Sequence, residues 1–410
     1  MKQHESTWGI DHRKRSQQAA RVAELDGLRG IAIVLVLLWH YVIGQVSVAP
    51  ATLPAYALRS LAFSWSGVDV FFVLSGFLVG GILIDGRAQA GATIAFLFRR
   101  ACRIIPLFYV SLALFHVFVW ATTGRDAGPG IAWLTRGELP WWSYVLSVQN
   151  IAMVAAGDHG PNWLGITWSL ALELQLYLFL AALIHWTPSS RLLSAVLGLV
   201  VLAAVMRIAV TLTVPDGTLA NYILLPTRMD AALMGVAAAL AIRDPIWHSR
   251  LSRVPTLLLA ISVGCAVAVM LMCAFGFGNG SPAMDRLGYT LLAVGGGALL
   301  VLLSVCDDGV LHRLCRTRML TWIGTISYGV YLLHQPIAGL LHHYLLDQAP
   351  RIASPRDALV TLSALAITLA LASLSWRWLE LPIIRASRRF GAKPRARRQS
   401  GHEPGQGLER

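Results

Sequence analysis

This sequence has little charge. Only 13% of its 410 residues are charged, against 56% hydrophobic. The mean hydropathy is +0.61, and together these values lie outside the range of soluble globular domains. A large soluble domain is thereby excluded, and a chain crossing a bilayer many times is expected. Cysteine is also scarce. Cys102, Cys265, Cys273, Cys306 and Cys315 are odd in number and show no CxxC spacing, so neither a disulfide framework nor a thiolate metal centre is expected. The histidines are too dispersed for a ligand cluster, and no metal is expected. The first 22 residues are polar and basic, and no short apolar core with a small-residue cleavage site follows them. The first span is therefore expected to stay as an anchor.

A window of about 20 residues finds ten apolar segments. They lie near 28–48, 63–84, 104–122, 168–187, 192–213, 224–242, 255–275, 286–305, 322–344 and 357–379. The expected fold class is an all-α, polytopic helical bundle of about ten spans. Three parts are expected: a basic segment 1–23, a membrane domain 24–380, and a basic, disordered tail 381–410. Arginine and lysine cluster before the first span, between the second and third, after the sixth and eighth, and in the tail. The positive-inside rule then puts both termini in the cytoplasm. The net charge of +13 reads as this orientation signal, with anionic lipid headgroups as the partner of the basic tail and nucleic acid excluded.

The chain is organised around ELDGLRGIAIVLVLLWHYVI, residues 24–43. Ten uncharged residues separate Arg29 from His40, which puts the imidazole roughly 16 Å farther along the helix axis. In a spanning helix that is near mid-depth, where an ionisable group is costly and a candidate functional site. The structural alternative is a neutral histidine bonded to a neighbouring helix.

Other polar residues sit in apolar runs. Asp69 opens GVDVFFVLSGFLVG, Glu173 lies in TWSLALELQLYL, and His334 lies in TISYGVYLLHQPI. A carboxylate at the centre of a span costs on the order of 2.5–3.5 kcal/mol on insertion scales, so it should face a cavity or a cation. Arg228 and Asp230 read as a helix-end pair. The segment 122–167 holds Trp133, Trp141, Trp142 and Trp163, and its 141–155 part is too short for a span. It reads as an interfacial or re-entrant piece whose tryptophans form either an aromatic belt or the mouth of a sugar site.

The Arg29-x10-His40 pattern, the GVDVFFVLSGFL run, the basic FLFRRACRIIPLFY segment, TWSLALELQLYLF and ISYGVYLLHQPI together resemble membrane acyltransferase family 3. The likeness covers about residues 24–380. It implies a ten-helix enzyme of the bacterial inner membrane that moves an acyl group, usually acetyl, from acetyl-CoA (acyl-CoA). The acceptor it implies is a hydroxyl of a surface glycan or glycolipid. Some members carry an appended esterase-like domain, for which this chain is expected to have no room. The family's Arg-x10-His pattern falls on Arg29 and His40, and its Arg-x-x-Arg pattern on Arg100 and Arg103.

Acyl transfer to an alcohol needs a base of near-neutral pKa, which suits His40. A carboxylate that orients the imidazole would complete the arrangement, with Glu173 and Asp69 as candidates. His40 acting as an acylated carrier is the alternative. Arg29, Arg99, Arg100 and Arg103 offer fork-shaped donors to phosphate oxygens, although for Arg99 alone a topology signal is the better reading. The competing function is a proton-coupled transporter of an anionic or sugar substrate, with His40, Glu173 and His334 as a relay; no internal repeat supports it. A non-catalytic scaffold leaves the buried histidine and glutamate without a purpose.

Overall fold

The computed structural model describes residues 23–46, 53–124 and 128–389. The basic segment 1–22 and the tail from residue 390 lie outside them. Among the described residues nine helices are long and apolar enough to cross a membrane. They are α1 (Ala23–Ile43), α2 (Tyr56–Gly86), α3 (Ala92–Thr122), α4 (Asn162–Trp186), α5 (Ser189–Thr213), α6 (Thr218–Arg243), α7 (Pro255–Ala274), α8 (Met284–Val305) and, after α9, α10 (Pro355–Ser387). The remaining predicted span is α9, Ser327–Leu346, a 20-residue helix. His334, Gln335, His342 and His343 lower its hydropathy, which keeps it out of the nine.

Boundaries differ from expectation by several residues, most of all at the start of α3 and the end of α10. The arginine-rich stretch ahead of residue 104 is helical, so α3 begins at Ala92. A helix also continues through Leu381–Ser387, past the expected start of the tail. The 122–167 segment folds as short helices, Pro129–Thr135, Trp141–Val145 and Gln149–Ala156, followed by Asn162–Gly165 at the start of α4. Trp141 and Trp142 stay exposed, whereas Trp163 is buried. The described residues hold no strand; one isolated bridge joins Val46 to Ile352.

The apolar runs become helices because a bilayer leaves backbone N–H and C=O groups no other partner. Between helices the hydrophobic effect contributes little, so close packing of small residues takes over. The α2–α6 contact is of this kind. A Cβ built on Gly76 would collide with the Ala232 carbonyl oxygen, and one on Gly235 with the Val73 carbonyl oxygen. The Ser75-Gly76 interruption thus lets two backbones touch, and α6 in turn carries Arg228 and Asp230 into the bundle.

Two substitutions test that contact. Gly76→Ala is expected to lower stability by about 1–3 kcal/mol, the usual cost of overpacking, read as a lower melting temperature in detergent. Gly198→Ala in α5, where a Cβ meets nothing within 4 Å, should leave it unchanged. Equal melting of the two variants would mean that the close approach is not needed.

Candidate active site

α1 ends in a widened π-turn, Trp39–Ile43, of the type that recurs at functional sites. His40 sits in it, three residues from the end of the helix and not midway along it. Its Nδ1 lies 2.9 Å from the Val36 carbonyl. A carbonyl only accepts, so Nδ1 carries the hydrogen and Nε2 keeps its lone pair. The half-buried ring lines a cavity of about 920 Å³.

Neighbours hold the turn in place. The Gln45 amide donates to the His40 carbonyl at 3.0 Å and accepts from Thr361 of α10 at 3.0 Å. The Tyr41 hydroxyl donates to the His334 carbonyl at 2.8 Å and lies 3.0 Å from the Thr368 hydroxyl. These contacts tie the end of α1 to both α9 and α10.

The cavity beside His40 is aromatic and polar. Trp39, Trp65, Trp133, Trp168 and Tyr222 line it together with Gln45, Arg136, Asp158, His159 and Gln335. Trp168 and Tyr222 pack with ring centroids 4.7 Å apart and ring planes tilted by 49°. Of the four tryptophans singled out in 122–167, Trp133 alone is on this wall. Trp163 packs instead on Phe115 and Phe118 of α3.

A second, smaller cavity of about 90 Å³ gathers three of the four arginines. Arg29, Arg100 and Arg103 line it with Glu173, Ser75 and Tyr177. Arg99 is not on its wall. Arg29 bonds Asp26 at 2.7 Å, and the Arg100 guanidinium lies over the rings of Phe96 and Tyr177 at 5.4 and 5.7 Å. Ser75 donates to Glu173 at 3.1 Å, and the Tyr177 hydroxyl donates to the same oxygen. Val68 and Tyr331 line both cavities, so the two volumes share a wall. Tyr331 is fixed there by its hydroxyl, 2.7 Å from Ser169 and 2.9 Å from the Ile166 carbonyl.

Neither predicted carboxylate reaches the imidazole, which corrects the expected pairing with His40. Glu173 faces the arginines. Asp69 is 2% exposed and pairs with Arg228 at 2.7 Å. A carboxylate withdrawn from water takes the nearest cation, because leaving it unpaired costs more than any other arrangement. Arg228 and Asp230 are likewise not a helix-end pair with each other. Asp230 meets Arg207 of α5 at 2.8 Å, and Arg228 also lies 4.0 Å from the Tyr289 ring centroid. The side chain that does meet His40 is His334, with ring centroids 4.8 Å apart. The proposed relay through Glu173 is therefore broken at its middle member.

Sequence reading missed Tyr41, Gln45, Tyr331, Thr361 and Thr368. Each is a common polar residue in or beside an apolar run, and only the helix facing them marks it out.

His159 gives the cavity a pH dependence. Burial holds its imidazole below the ordinary value, while adjacent Asp158 works in the opposite direction. The folded protein therefore resists a proton that the unfolded chain takes up below about pH 6.5, so stability falls as pH drops through that region. His159→Gln should lose less melting temperature between pH 7.5 and 5.5 than the unmodified protein. Identical losses would assign the effect to other groups.

Similarity to known proteins agrees with this geometry. The profile of a family described as an acyltransferase domain matches residues 22–377. The peptidoglycan O-acetyltransferase OatA of Listeria monocytogenes is 29% identical over 396 aligned positions, covering 90% of this chain and 57% of the relative. The putative peptidoglycan O-acetyltransferase YrhL of Bacillus subtilis is 28% identical, with 90% and 56% covered. The O-acetyltransferase OatA of Staphylococcus aureus is 23% identical, with 88% and 56% covered. The chain thus spans a little over half the length of these curated relatives. No solved structure matches it. With a match running from the foot of α1 into α10, across both cavities, the chain belongs to membrane acyltransferase family 3.

Proposed function

We propose that this protein transfers an acetyl group from acetyl-CoA to a hydroxyl of a cell-surface glycan, working in the bacterial inner membrane with both termini cytoplasmic. One observation carries the reading. The His40 imidazole, with its Nε2 lone pair free, borders a cavity rich in aromatic and polar groups, and that cavity shares a wall with one ringed by arginines. Relatives named as peptidoglycan O-acetyltransferases make a cell-wall glycan the acceptor of choice.

In this reading Arg29, Arg100 and Arg103 hold the donor's phosphates at the cytoplasmic side. Guanidinium forks suit phosphate oxygens, and crowding three of them round one cavity leaves positive charge for an anion to neutralise. Glu173, held by Ser75 and Tyr177, lines the same cavity. The glycan enters the large cavity from the opposite side, its sugar faces against Trp168, Tyr222 and Trp133. His40 Nε2 takes the proton of the acceptor hydroxyl as its oxygen attacks the thioester carbonyl. The carbon–sulfur bond breaks, and the imidazolium returns that proton to the departing thiolate. An ester and a free thiol result, with His40 restored.

Reconstituted membranes, labelled acetyl-CoA and a crude envelope glycan test this. His40→Ala should lower glycan labelling by about 10²–10⁴-fold, the range for losing a general base, while still inserting and melting as the unmodified protein does. Arg103→Ala should raise KM for acetyl-CoA by roughly tenfold or more, the loss of one charged hydrogen bond. Undiminished labelling by His40→Ala would make the histidine structural and the mechanism wrong.

A further inference from the structure

The mechanism leaves one position unfilled. A histidine base is ordinarily oriented by a third group that steadies its cation, and the two carboxylates placed to do so are both engaged elsewhere. The group that occupies the place is His334.

Its ring meets that of His40 edge to face, at 4.8 Å and 61°. His334 is fully buried. Its Nδ1 lies 2.7 Å from the Tyr331 carbonyl, so Nδ1 carries the hydrogen and Nε2 is an acceptor. That Nε2 is buried without a hydrogen-bond partner. An unpartnered buried acceptor is a cost that native proteins rarely carry without reason. Two titratable side chains pack against the pair, Tyr41 from α1 and Tyr331 from α9, with ring centroids 6.1 and 5.9 Å from His334. Both have their hydroxyls bonded elsewhere. From α10 the neighbour is the neutral Thr368, and from α4 the neutral Ser169. Across the cavity stand Asp158, His159 and Arg136.

We propose that His334 is the positioning residue for His40, a neutral imidazole that steadies the positive charge His40 carries while it holds the acceptor's proton. The inference rests on His40 being the base. Neutral His40 offers the electron-rich face and lone pair of His334 little. Once Nε2 of His40 is protonated, its ring becomes a cation at 4.8 Å, and the attraction appears with the charge itself. Interactions present only in the charged state raise the rate without tightening ground-state binding. His334 exchanges no proton in this scheme; the proton moves from hydroxyl to His40 and on to the thiolate.

Two variants test it from opposite sides. His334→Leu removes the unpartnered Nε2 together with the Nδ1–H that bonds the Tyr331 carbonyl, and its melting temperature shows whether it folds. It should transfer acetyl about tenfold more slowly, keep KM for acetyl-CoA within about twofold, and move the acid limb of kcat about one unit to lower pH. His334→Asp puts a carboxylate beside the base and should move that limb to higher pH. Should His334→Leu fail to fold, the aspartate variant alone decides the matter. An acid limb that stays in place in every variant that folds, or a change in KM with kcat intact, overturns the role of His334 even where His40→Ala is inactive. Full activity in His40→Ala would instead remove the reading on which the inference rests.

Discussion

The position of His40 depends on the hydroxyl of Tyr41. That one oxygen donates to the His334 carbonyl and meets Thr368, so a single side chain fastens the last turn of α1 to two other helices. Gln45 repeats the fastening one turn farther on, between the His40 carbonyl and Thr361. In a medium with little water, a hydrogen bond forgone is not replaced by solvent. The end of α1 is therefore as well defined as a turn in a soluble core, although it adjoins a large cavity. A π-turn costs one regular helical bond pattern, and these side-chain bonds offset it.

The same constraint governs the buried charges. Asp69, Asp230, Arg207 and Arg228 form two ion pairs that cross from α2 to α6 and from α5 to α6. Arg207 further donates to the Asp285 and Thr227 carbonyls and to Thr290. None of these four lines either cavity. They lie behind Tyr222 and Tyr289, against which Arg228 packs, and so they support the aromatic wall without touching its contents. These paired charges hold helices in register, whereas the smaller cavity gathers three arginines round one carboxylate, Glu173.

Arg29, Arg100 and Arg103 share the smaller cavity with Glu173, and Arg29 is also paired with Asp26. Val68 and the doubly bonded Tyr331 stand between the arginines and His40. The dimensions on the two sides differ about as much as their chemistry. The cavity of about 920 Å³ is walled by aromatic and polar side chains, whereas the one of about 90 Å³ is narrow and lined by three arginines and Glu173.

Much of this was legible from residue order. Scarce charge and long apolar runs determined an all-helical bundle, because a bilayer admits few other ways to satisfy a backbone. The ten-residue interval between Arg29 and His40 fixed their separation along one helix, because the rise per residue is constant, but it put His40 near mid-depth, whereas the helix ends three residues after it. Arg100 and Arg103 were singled out by the family resemblance, not by their spacing alone. Tertiary structure alone decided which polar groups meet. A helix carries side chains on every side, and sequence does not say which of them faces which neighbour. Glu173 and Asp69 were both plausible partners for His40, yet rotation of α4 and α2 turns one to the arginines and the other to Arg228. The same rotations brought His334, 294 positions away in the chain, against the histidine from which the sequence could be read.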